Sequence, residues 1–135
     1  MNIRISSEKN ISQEKIISLY KANAWSAATK PNTLYKALMN AHSLISAWDD
    51  ETLVGLGNAI SDGHMVVYYP HLLVLPDYQK KGVGKMIVHE LMRIYTGFHM
   101  QMLCSDQNAI AFYEKLGFSK AGDTQAMWIY DGKEH

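Results

Sequence analysis

The residues best placed for chemistry form one short run, Gln79-Lys80-Lys81-Gly82-Val83-Gly84-Lys85, which follows an apolar stretch and Pro76. Glycines at a strand-to-helix turn let the backbone come close to a ligand. The first amides of the helix that follows have no intrahelical acceptor and carry the positive end of its dipole. Lys80, Lys81 and Lys85 add mobile cations around the same point. Together they describe a cradle for phosphate. Two better-known cradles are excluded, because Gly82 to Ile87 holds no third glycine of a dinucleotide fingerprint and the chain has no Gly-x-x-x-x-Gly-Lys-Ser/Thr.

That cradle has to be carried by a strand before it and a helix after it. Met65 to Leu75 is rich in β-branched and aromatic residues, and Met86, Ile87, Val88, Leu91, Met92 and Tyr95 recur at helical spacing. Pro70 removes a ladder donor inside the apolar run, which predicts a strand bulged or splayed there. Upstream, Asn2 to Ser6 alternates as a short strand, a helix begins near Ser12, and a second helix runs to Asn40. Ser43 to Trp48 and Thr52 to Ile60 read as paired strands about Asp49-Asp50-Glu51. Ser61-Asp62-Gly63-His64 then turns into the Met65 strand. Downstream come a strand over Phe98 to Cys104 and a helix over Asn108 to Leu116. Phe118 and Met127-Trp128-Ile129-Tyr130 supply two closing strands around Gly122-Asp123. The expectation is an α/β fold with a mixed central sheet: strand, two helices, three antiparallel strands, helix, strand, helix, two strands.

A chain of 135 residues with 47% apolar side chains fills one domain with its own core. Thirteen basic and thirteen acidic residues cancel, so no global field draws it to nucleic acid or anionic lipid. The single cysteine, Cys104, forms no internal disulfide, and no paired Cys/His spacing of a metal site occurs. With a polar start and no apolar run long enough to span a bilayer, the chain is expected in the cytoplasm, with no membrane partner.

Leu72-Leu73-Val74-Leu75-Pro76-Asp77-Tyr78-Gln79-Lys80-Lys81-Gly82-Val83-Gly84-Lys85 resembles the acetyl-coenzyme A signature of the GNAT (Gcn5-related) N-acetyltransferases, Arg/Gln-x-x-Gly-x-Gly/Ala. A second block, Asn108-Ala109-Ile110-Ala111-Phe112-Tyr113-Glu114-Lys115-Leu116-Gly117-Phe118, is similar to that family's C-terminal Asn…Phe-Tyr-x-x-x-Gly-Phe segment. The resemblance implies acetyl transfer from acetyl-CoA to a primary amine of a small molecule or peptide, by direct attack in a ternary complex and without a metal. It implies a cofactor cleft splayed between the fourth and fifth strands. The amides of Gly82, Val83, Gly84 and Lys85 hold the pyrophosphate, with Gln79, Lys80 and Lys81 framing it. Leu73, Val74 and Leu75 offer backbone hydrogen bonds to the pantetheine arm, and the amide of Leu73 is the expected donor to the thioester carbonyl. Asn108 contacts the arm near the thiol, caps the following helix, or does both. Tyr113 protonates the departing thiolate.

The base is less well specified. Family bases fall at positions matched here by Tyr68 and Pro70, neither a typical base, which favours proton removal through water near Tyr68. His71 takes that role only if the bulge at Pro70 turns it to the face of Tyr68. The absence of an obvious base keeps a second reading open, a non-catalytic acetyl-CoA-binding sensor or interaction module. A nucleic-acid-binding module is opposed by the zero net charge. Family members often pair through sheet edges, so a homodimer is compatible with this reading. Tyr20, Trp25, Tyr35 and Trp48 are expected mostly in the core, although the resemblance puts the helical segment holding the first three where the family builds its acceptor pocket; Cys104 is expected as a small buried hydrophobe.

Overall fold

The computed structural model describes residues 1–133. Strand β1 is Ile3–Ser6, helix α1 Gln13–Ala22, helix α2 Pro31–Met39, strand β2 Ser43–Asp49 and strand β3 Thr52–Ser61. The predicted fourth strand is two short ones, β4 (Val66–Tyr68) and β5 (Leu72–Val74). Helix α3 (Val83–Ile94), strand β6 (Met100–Met102) and helix α4 (Ile110–Lys115) follow. Ser12 caps α1, its hydroxyl accepting from the Lys15 amide, and Pro31 opens α2 where a missing N–H costs nothing.

The sheet runs β1-β2-β3-β4-β6, antiparallel except for the parallel β4–β6 pair, with β5 also on β3. β3 is long enough for two partners on one edge: Gly55, Leu56 and Gly57 face β5, while Ile60 and Ser61 face β4. β6 pairs β4 as far as Met102, whose carbonyl accepts from the Tyr69 amide at 3.0 Å. Beyond that point β5 stays on β3 and leaves β6, so the sheet opens into the predicted splay.

Both faces of β2 and β3 are covered, which is why Leu44-Ile45 and Leu53-Val54 are continuous apolar pairs. On one face Ile16, Leu19, Tyr20, Leu34 and Leu38 pack on Leu44, Leu56 and Leu73. On the other, Val83, Ile87, Leu91 and Tyr95 of α3 and its end pack on Ile45, Val54, Val67 and Tyr69. Gly55 and Gly57 allow α3 this close: a Cβ at Gly57 would stand 2.7 Å from Ile87 and 3.2 Å from Leu91. Gly57→Ala is therefore expected to destabilise the protein by about 1–3 kcal/mol through overpacking, read as a lower urea midpoint at unchanged slope.

The two closing strands are not formed among the described residues. No described residue after Lys115 lies in a strand, and Met127, Trp128, Ile129 and Tyr130 are exposed. In place of a sheet edge the segment meets other partners. Asp131 pairs with Lys30 at 2.5 Å, the Tyr130 hydroxyl lies 3.4 Å from that of Ser26, and Trp128 stacks on Tyr130. These contacts draw the segment across the Ser26–Lys30 turn. The turn near Gly122 does form, with the Thr124 amide on the Ala121 carbonyl.

Candidate active site

Gly82 caps α3 in the left-handed region, at φ +86°, a conformation in which a side chain would be strained. The first helical bond runs from the Met86 amide to the Gly82 carbonyl, which leaves the amides of Val83, Gly84 and Lys85 without intrahelical acceptors. Lys80, itself at φ +61°, and Lys81 and Lys85 are exposed around them. Three bonds fix this turn, two to the sheet and one to the end of α1. The Gln79 amide group donates to the Val74 carbonyl at 3.1 Å and to Asn23 at the end of α1, and the Tyr78 hydroxyl donates to Asp49 at 2.6 Å. Gln79 thus braces the turn through its side-chain NH2 group.

The register decides which amides line the opening. Leu75 N–H donates to Val54 and His71 C=O accepts from Asn58, with Leu73 opposite Leu56 between them. In an antiparallel ladder these alternate residues turn their polar groups to β3. Leu73 and Leu75 therefore spend their amides on β3, and the amides of Leu72 and Val74 lie on the open edge. The Leu73 amide, the expected donor to the thioester, thus faces β3 and not the opening, where the amide of Leu72 lies instead. The same alternation puts the Leu72 and Val74 side chains near Gly84, where a Cβ would lie 3.8–3.9 Å from them and 3.5 Å from Phe112. Strand edge, helix N-terminus and α4 thus meet at Gly84.

Tyr113 is next to Phe112 on α4, its ring edge-on to Phe112 and Phe118. It opens onto a cavity of about 900 Å³ bounded by β6, α4 and the residues after it, Leu103 and Met102 among them. Burial, with a smaller contribution from Asp106, pushes its phenol up to about 12. A donor role there predicts no loss of single-turnover rate as pH passes the ordinary phenol value of about 10. A pH–rate profile should fall from this ionisation only toward about 12. Asn108 is exposed in the short turn Gln107–Ala109 and does not cap α4, whose cap is Ala109.

On the α1 face, the Tyr20 hydroxyl and His71 Nδ1 are 2.7 Å apart, with Trp25 edge-on to both rings. The bulge at Pro70 has turned His71 to this face, opposite the side of Tyr69. Tyr68, alternating with Val67 and Tyr69, is on the α1 face as well. Its phenol is raised by burial first, then by charge repulsion from Cys104 and a hydrogen bond with it. Cys104 is exposed, not buried as expected, because it lies past the end of β6 where the sheet has opened. Tyr20 was expected mostly in the core, on the segment where the family builds its acceptor pocket, and Asn58 was passed over; its one signal was a polar side chain inside the apolar β3 run.

The sequence profile of the Acetyltransferase (GNAT) family matches residues 12–118. An uncharacterized N-acetyltransferase, ycf52, of Pyropia yezoensis is 30% identical over 129 residues, 90% of this chain and 73% of that protein. A peptidyl-lysine N-acetyltransferase, YjaB, of Salmonella typhimurium is 24% identical over 93% of this chain and 89% of its own length. A solved GNAT-family acetyltransferase from Streptococcus pneumoniae superposes with a TM-score of 0.83 at 26% identity, covering 96% of this chain and 99% of that one. The chain belongs to the GNAT family and is an acyltransferase, an N-acetyltransferase by class. No helix among the described residues is long and apolar enough to cross a membrane.

Proposed function

We propose that this protein transfers the acetyl group of acetyl-CoA directly to a primary amine of a small molecule or peptide. The observation that carries the reading is the unpaired edge of β5 beside the N-terminus of α3, two sets of unused amides meeting at Gly84. When bound, the coenzyme supplies an activated thioester; the protein supplies position and protons. Val83, Gly84 and Lys85 offer N–H donors to the pyrophosphate, with the positive end of α3 behind them. Val74 N–H holds the pantetheine arm, and Leu72 N–H donates to the thioester oxygen, where negative charge grows during attack.

Tyr113, kept protonated by burial, gives its proton to the departing sulfur and regains one from solvent. The amine approaches on the α1 face, beside Tyr68 and His71. The Tyr68 phenol, raised by burial, relays the amine's proton through water and does not keep it. The name of the Salmonella relative supports a lysine side chain as one acceptor.

Amide NMR on adding coenzyme A tests the site. Leu72, Val74 and Val83 to Lys85 should shift first and most. Shifts confined to other elements would place the coenzyme elsewhere.

A further inference from the structure

Between β5 and β4 the chain holds one residue more than β3 does opposite it. Continuing the Leu72–Gly57 register puts His71 opposite Asn58, and Tyr68 is opposite Ile60: three steps on one strand, two on the other. β4 and β5 thus follow registers that differ by one residue. An extra residue displaces an amide from the ladder. Pro70 has none to lose, so the displaced donor is His71 N–H.

That donor does not reach a backbone carbonyl. It goes to the side-chain Oδ1 of Asn58 at 3.0 Å, while Asn58 N–H donates to the His71 carbonyl at 3.2 Å. One residue thus grips both polar groups of His71, half through its backbone and half through its side chain. Asn58 is buried, and it is the only polar side chain from Leu53 to Ile60. A buried amide in an apolar strand is costly unless it is used.

We propose that Asn58 is a positioning residue that holds β5 in the register that turns the Leu72 and Val74 amides to the open edge. A slip of one residue, into the register β4 already follows, exchanges every inward group for its neighbour. Leu72 and Val74 would then turn to β3, and Leu73 would face the opening. Holding His71 also keeps its ring against Tyr20. The inference rests on the β5 edge receiving the thioester.

Hydrogen exchange and kinetics on two variants test it. Asn58→Leu keeps the size and removes the acceptor; Asn58→Asp keeps an oxygen for His71 N–H. In the wild-type protein the His71 amide should be protected although it follows a bulge. In Asn58→Leu that protection should drop, and single-turnover rate should fall about 10-fold or more, since small misplacements at a reacting centre are costly. Coenzyme A affinity, set at the Gly82 turn, should stay within about 3-fold, a change of under 1 kcal/mol. Asn58→Asp should restore both protection and rate. Unchanged rate or unchanged His71 protection in a folded Asn58→Leu protein would overturn the proposal, as would equal loss of rate and affinity in both variants. If Asn58→Leu does not fold, a fast-exchanging His71 amide in the wild-type protein overturns it alone. A wild-type protein that binds no coenzyme A refutes the reading of the cleft, a result distinct from any of these.

Discussion

Gly84→Asp is expected to lower acetyl-CoA affinity by roughly 10²-fold or more while leaving the protein folded. The position tolerates a Cβ, whose nearest neighbour would be Phe112 at 3.5 Å, and it has no left-handed backbone to strain. The new carboxylate would sit among the free amides of α3 and take up donors meant for the pyrophosphate. Losing two charge-assisted hydrogen bonds at about 1.5 kcal/mol each gives that factor before any repulsion between carboxylate and phosphate. Calorimetry on a variant with a wild-type melting curve measures it. Unchanged affinity would remove the pyrophosphate from this turn.

Tyr113→Phe is expected to lower the single-turnover rate about 10²-fold, the usual contribution of a positioned proton donor. The ring and its contacts with Phe112 and Phe118 remain, so melting temperature and cofactor affinity should change little. Steady-state turnover is a poorer readout, because product release can mask a slower chemical step. A folded variant with wild-type single-turnover rate would leave Tyr113 as packing.

The parts of the site legible in the sequence are those decided within a few residues. The Gly82 turn, the start of α3, the Ser12 cap and the break at Pro70 each follow from local backbone rules, and each is where the residues put it. Which amides face the open edge was not legible, because it depends on the register between β5 and β3 across a bulge whose size no local rule fixes. Leu72 and Leu73 are the same residue type, and only the partner strand distinguishes them. Asn58 was missed for the same reason: its side-chain hydrogen bond is with His71, thirteen positions away. The closing strands failed differently. Met127 to Tyr130 has strand composition, but composition does not reveal that the segment meets the Ser26–Lys30 turn in place of a sheet edge.

Whether the cleft transfers an acetyl group or only holds a coenzyme is decided by a single reaction. Purified protein is mixed with acetyl-CoA and a panel of amines that includes lysine peptides, small diamines and amino sugars, and both free thiol and acetylated amine are counted. Transfer predicts that the two appear in equal amounts with at least one amine, and that thiol release without amine is negligible. Saturable acetyl-CoA binding with no acetylated amine across the whole panel would contradict it and point instead to a sensor or interaction module.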